Sequence, residues 1–288
     1  MRIVVAATVV LAAACTPQAE SPTTVTSVPV STTSTTVVAD DVPACLSGDL
    51  PFGASGPIAA IGEDAADATV VAGVTFHLHD GCERIVLSFF NDAGAPASSL
   101  GPVGAILQVE SGILHVSLPE EMRTTAVADS LLEGSVASRV YATRDVEGML
   151  AIDVHLTPDR PVEARVFEVG SPIRLVIDLK AAGGVSRVLA EPTVARDVVL
   201  LTPAPGAALY PLRIAGYARP DVDSLLVELN EGETLLMGRS YVMVADRDAW
   251  KAFDIRLTDG PSGAVDLFVG PVDALDEPAG VVVPLELP

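Results

Sequence analysis

Aromatic side chains are scarce: one tryptophan, four tyrosines and seven phenylalanines stand in 288 residues. Several of them, including Phe76, Phe89 and Phe253, fall at core-facing positions of expected strands, which leaves few rings for stacking on sugars. Any glycan recognition would then rest mainly on hydrogen bonds. Arg84, Tyr141, Arg144 and Arg174 are the candidate ligand-binding residues, with surface ion pairing as the competing use for each arginine. Basic residues are scarce too, 17 against 38 acidic ones, for a formal charge of −21. So acidic a chain repels nucleic acid, anionic headgroups and phosphate-rich polymers, and leaves neutral polymers, basic proteins and divalent cations as partners.

Signatures of catalysis are missing as well. No serine sits in a Gly-x-Ser-x-Gly elbow, no glycine loop suits a phosphate, and no His-Glu-x-x-His occurs. The expectation is a protein that is not an enzyme and takes no cofactor. Only four histidines exist, His77, His79, His115 and His155, all on the polar faces of expected strands. The i, i+2 pair His77 and His79 could share zinc or copper, which would support a metal-dependent envelope enzyme. The alternative is that polar strand faces carry polar residues. Acids at Asp221, Asp223, Asp246, Asp248, Asp273, Asp276 and Glu277 lie in loops without the spacing of a calcium loop, and read as solvated.

Long apolar runs are absent apart from Ile3–Ala14, which follows the single basic residue Arg2 and ends on alanines. As helix it would rise about 18 Å against a hydrocarbon core of roughly 30 Å, so residues 1–14 are expected to be a cleaved export signal. The stretch Leu11-Ala12-Ala13-Ala14-Cys15 resembles the lipobox of bacterial lipoproteins, although the aliphatic residue stands four rather than three before the cysteine. That resemblance implies lipidation at Cys15 and anchoring to the cell membrane, outside the cytoplasm. Residues 15–41, rich in Thr, Ser, Val and Pro, have no apolar periodicity and are expected to be a disordered tether of about 25 to 30 Å. With Cys15 acylated, Cys45 and Cys82 remain as a disulfide pair in an oxidising compartment, or as two buried thiols.

From Val70 onward the dominant signal is period-two alternation, with turns at Asp80-Gly81, Gly94–Pro96, Gly101-Pro102, Pro158–Pro161 and Ser171-Pro172. The best helix candidate is the short stretch Thr124–Leu132. The expected class is all-β, with two β-sandwich domains at 42–180 and 195–288 and a linker at 181–194. In the second domain seven short strands run from Val198 to Leu287, with Trp250 and Phe253 expected to fill the core.

The segment His79-Asp80-Gly81-Cys82-Glu83-Arg84-Ile85-Val86 and the closing Val166-Phe167-Glu168-Val169 with Ser171-Pro172-Ile173-Arg174-Leu175-Val176-Ile177-Asp178 resemble the AMIN-like domain of actinobacterial lipoproteins. Cys82 stands where that family has an aromatic residue, and Glu83 where it has Asp. Related AMIN domains are β-sandwiches that target cell-wall amidases to peptidoglycan without catalysing. The second region, through Thr202–Gly206, Leu209–Gly216, Trp250–Phe253, Gly263–Val269 and Val281–Leu287, is similar to the immunoglobulin-like domain of bacterial spore germination proteins. Together these resemblances imply a non-catalytic envelope lipoprotein that binds peptidoglycan or a wall-associated protein. An acidic scaffold that meets a basic envelope protein is the alternative.

Overall fold

Alternating apolar and polar residues build an all-β chain, and the computed structural model describes residues 44–125, 129–185, 191–243, 248–272 and 279–288. Cys15, the segments 1–14 and 15–41, and the loop acids Asp246, Asp273, Asp276 and Glu277 lie outside the described residues. The first half contains β1 (Gly56–Ile61), β2 (Val70–His79), β3 (Cys82–Phe90), β4 (Val103–Gln108), β5 (Ile113–Ser117), β6 (Arg123–Thr124), β7 (Asp129–Leu131), β8 (Ala137–Arg144), β9 (Leu150–Leu156), β10 (Val162–Val169) and β11 (Arg174–Ala181). The second half follows with β12 (Thr193–Val194), β13 (Val198–Thr202), β14 (Gly206–Ala207), β15 (Leu212–Ala218), β16 (Ser224–Glu231), β17 (Thr234–Val242), β18 (Trp250–Leu257), β19 (Gly263–Pro271) and β20 (Val281–Leu287).

The helix expected over Thr124–Leu132 is not formed in its described part: β6 ends at Thr124 and β7 occupies Asp129–Leu131. Both are short strands that pair with longer neighbours, β6 with β2 and β7 with β8, so ladder hydrogen bonds replace those of a helix. At the β2–β3 hairpin, Gly81 supplies a backbone with φ of 74°, which a side chain would strain.

Among the described residues the strands form three sheets. One runs β1-β4-β5-β9-β8-β18-β15-β13-β12, with β7 attached to β8, and therefore passes through both halves of the chain. The second is β10-β11-β3-β2-β6, and the third β14-β20-β19-β16-β17. The long sheet is continuous because β18 pairs in parallel with β8, through Trp250 opposite Thr143 and Lys251 opposite Arg144. All described residues belong to one compact unit.

Two apolar cores lie against the long sheet. The first gathers Ile85, Leu87, Leu175 and Ile177 of the second sheet with Leu114, Val116, Ile152 and Val154 of the long one. Another gathers Ile214, Phe253 and Ile255 of the long sheet with Val227, Leu267 and Val283 of the third. Ala249, although it precedes β18 of the second half, is fully buried in the first core. Trp250 does not join the second core as expected, because positions 250 and 253 point to opposite faces of β18.

The outer face of the second sheet carries a buried charge centre. The register aligns Arg165, Asp178, Arg84 and His77 in one row across β10, β11, β3 and β2. Arg84 grips Asp178 with Nε and a terminal nitrogen at 2.6 and 2.8 Å, and Arg165 does so at 2.9 and 2.8 Å. Arg165 also donates to the Ser47 carbonyl at 2.8 Å, and its guanidinium lies 4.7 Å from the Phe52 ring centre. Cys45 is bonded to Cys82, with Cα atoms 6.1 Å apart, within the range that a disulfide spans. The segment 44–53 is thus strapped over the charge centre. Beside it, buried Glu83 accepts the backbone N–H groups of Ser135, Val136 and Ala137.

Asp178→Ala would leave two buried guanidiniums without their carboxylate, and urea denaturation is expected to show a loss of about 3 to 5 kcal/mol. Asp178→Asn, which keeps the acceptor oxygen, should lose less. Equal stability of wild type and alanine variant would refute the assignment.

Candidate functional site

The richest polar cluster sits where the halves join. Strands β5, β9 and β8 place His115, Asp153, His155, Tyr141 and Thr143 on one face, since the register sets His115 and Tyr141 opposite Asp153 and Ile113 and Arg139 opposite His155. Alternation marks this as a polar, solvent-facing side, yet Asp153 is 4 % and His155 5 % exposed. The residues that cover it come from the second half: Tyr217 of β15, Trp250 of β18 and Val199 of β13 pack with Tyr141 in one aromatic cluster.

Asp153 is the hub. Tyr217 donates its hydroxyl to it at 2.7 Å, Thr143 at 3.1 Å, and His115 donates from Nδ1 at 2.6 Å. That hydrogen bond raises the His115 pKa above its ordinary value, against opposing desolvation. Burial pushes Tyr217 well above the usual phenol range and Tyr141 up to about 12. Burial also depresses His155 to about 4. Its Nε2 and the Tyr141 hydroxyl are both buried without a partner, and the two ring centres are 4.8 Å apart.

Two further contacts complete the junction. Trp250 Nε1 donates to Asp129 at 3.0 Å, and Arg139 binds the other oxygen of the same carboxylate at 2.8 Å. Arg144 holds Asp248 through two nitrogens, each at 2.7 Å, and donates to the Met122 carbonyl at 3.0 Å. Asp248 also accepts the backbone N–H of Thr124 at 3.2 Å.

This arrangement resolves where the candidate residues stand. Tyr141 and Arg144 are buried in the junction, and Arg84 is buried against Asp178. The guanidinium donors of Arg84 and Arg144 are committed to internal partners and the Tyr141 hydroxyl is buried without one, so the three do not form an open ligand groove. Arg174 is half-buried on β11, opposite Ser88, four positions along the strand from Arg84. His77 and His79 are exposed neighbours on β2, with ring centres 6.4 Å apart, whereas His115 and His155 belong to the long sheet. Among the described residues the one group of potential metal-binding atoms that converges is Cys45, Cys82 and Asp178, whose cysteines are already bonded to each other.

A His–Asp pair is two parts of a nucleophilic triad, but the cluster's hydroxyls of Thr143 and Tyr217 donate to Asp153 rather than to His115. Through these hydrogen bonds one carboxylate joins four strands, β5, β8, β9 and β15. Asp153, Asp129, Tyr217 and Asp248 were not singled out for this role by the sequence. The usable signal was an aspartate within a strand pattern, where that residue is normally depleted.

An open concave surface lies elsewhere in the first half. A cleft of about 390 Å³ runs between the ends of β4, β9 and β10, floored by Leu107, Val109, Leu156 and Val162 and rimmed by Arg160 and Glu163. The rim charges are held in pairs, Arg160 with exposed Asp159 at 2.8 Å and Glu163 with half-buried Lys180 at 2.9 Å. A solvent-exposed pair such as Arg160 with Asp159 is screened by water and salt and contributes little to stability. No protein-family model matches the chain, and no curated protein matches it.

His155 makes stability depend on pH in a definite direction. The unfolded chain takes up a proton near the ordinary imidazole value of 6.5 while the folded one waits until about 4. Stability from this group is therefore full above 6.5 and falls by about 3 kcal/mol as pH drops to 4. His115, raised by Asp153, acts oppositely: its contribution is present below 6.5 and is lost as pH rises through its folded pKa. His155→Phe should flatten the acid-side slope in urea titrations from pH 7 to 4; an unchanged slope would rule out His155 as its source.

Proposed function

We propose that this chain is a non-catalytic lipoprotein of the cell envelope, anchored through Cys15, that binds peptidoglycan or a wall-associated protein through an AMIN-like first half. The second half, of immunoglobulin-like type, serves as a spacer or adhesion module. Involvement in sporulation or germination belongs to this reading through the resemblance of the second half.

The observation that carries it is the contrast between the two kinds of polar site. The buried arginines and the carboxylates of Asp178 and Asp153 are engaged in holding strands together, while an apolar-floored cleft in the first half keeps Arg160 of its rim at the surface. A cleft of this composition suits a short peptide or sugar–peptide: the floor takes methyl groups and ring faces, Arg160 takes a carboxylate, and Glu163 takes an amine. The acidic chain as a whole favours such neutral or mixed-charge polymers over phosphate-rich ones.

Purified sacculi are expected to retain the soluble chain above a bovine albumin control, and Arg160→Ala combined with Val109→Asp should weaken retention about tenfold. Retention no greater than albumin would refute wall binding. Retention equal for wild type and variant would refute the cleft.

A further inference from the structure

The third sheet has an outer face that does not look like a solvated one. On β16, β19 and β20, residues alternate between buried and open positions. The open side carries Leu226, Phe268 and Val282, which the register sets side by side: Phe268 stands opposite Val282, and Leu226 lies one step along, opposite Gly270. Solvent-facing positions of an antiparallel sheet ordinarily hold polar residues; here they form an apolar ridge. Val282 is 56 % exposed and Phe268 half-buried.

The ridge is kept low by glycine. A Cβ on Gly270 would come within 2.4 Å of Phe268 Cζ, and one on Gly280 within 2.7 Å of its Cε2. The ring thus lies down on bare backbone, and larger residues at either position would lift it. Gly238, on the edge strand β17, stands opposite Glu228, with the Leu235 side chain alongside.

Charge around the ridge is of one sign. Glu228 stands opposite Phe268, Asp266 opposite Pro284, and Glu286 opposite Ala264 on the same side. Among the described residues none of these three carboxylates has an ion-pair partner, whereas Glu163 and Asp254 on other sheets are paired with Lys180 and Arg213. Arg239, the one cation on β16, β17, β19 and β20, stands opposite Val227, so it leaves the edge strand on the side away from Glu228, and it is exposed. A depression of about 430 Å³ bordered by Asn230, Asp266, Pro284 and Glu286 extends the face.

We propose that this face docks a basic partner polypeptide, whose apolar side chains cover Leu226, Phe268 and Val282 and whose lysines or arginines meet Glu228, Asp266 and Glu286. Charge complementarity selects this occupant. A second copy of this chain, at −21, is repelled. A neutral polymer would cover three carboxylates without giving them a partner, which costs free energy. A partner cation above the Phe268 ring gains from its negative face. The inference is independent of what the cleft at Arg160 binds.

The test is fluorescence anisotropy of the soluble chain with a labelled Lys-Val-Lys-Val-Lys-Val peptide, and in parallel with a labelled glucosamine hexamer. The peptide is expected to bind, with affinity falling as salt rises. Combined Glu228→Gln, Asp266→Asn and Glu286→Gln should weaken it about tenfold, and a control that removes three charges at Glu63, Asp64 and Glu147 less than about twofold. Val282→Lys, at an exposed position that leaves the core intact, should abolish binding. Equal effects of the two triple variants would mean that bulk charge alone attracts the peptide, and would overturn the proposal. So would binding of the glucosamine hexamer without the peptide, or binding of the peptide undisturbed by Val282→Lys.

Discussion

Asp153 takes hydrogen bonds from Thr143, Tyr217 and His115, and the relation between the two halves of the chain depends on it. The backbone link at this junction is small, two residue pairs between β8 and β18. Side chains do the rest: the aromatic cluster of Tyr141, Tyr217 and Trp250 excludes water, and the exclusion strengthens each hydrogen bond to the carboxylate. Arg144 with Asp248, and Trp250 with Asp129, brace the same junction on either side. The consequence is that the described residues of both halves form one compact unit.

The first half handles a second buried carboxylate differently. Asp178 is wholly buried between two arginines, an arrangement with one cation in excess, and the carbonyl of Ser47 and the ring of Phe52 help to solvate Arg165. The two segments that carry the AMIN-like resemblance meet at this point, since Arg84 belongs to one and Asp178 to the other. Their residues therefore hold the sheet together and lie beneath the disulfide-pinned strap. Polar groups at the cleft beside Arg160 and on the outer face of the third sheet are among those left to solvent, and these are the surfaces at which binding is proposed.

Much of the strand layout was legible because alternation depends on local burial. Strands β2, β5, β9, β11 and β20 fall where period two places them, and the turn at Asp80-Gly81 falls where glycine is required. Short pieces were not legible: β6 and β7 have two and three residues, too few to show a period, so Thr124–Leu132 read as a helix. The site was less legible still. Arg84, Tyr141 and Arg144 read as ligand donors because polar residues on a strand are solvent-facing unless something covers them. What covers them, the strap and the second half, is remote in sequence. Trp250 was misplaced for the same reason, since its face of β18 is buried by a different partner from the one that buries Phe253.

By itself the sequence determined the all-β class, the faces that must be apolar, the turns and the strongly acidic charge, because each depends on residues near one another or on composition alone. Tertiary structure alone decided that one sheet runs through both halves and that the polar side of β9 is interior. It also decided which carboxylates are partnered and which stay open. These depend on contacts such as Asp153 with Tyr217, 64 residues apart, and no local pattern encodes which strand will arrive to cover another.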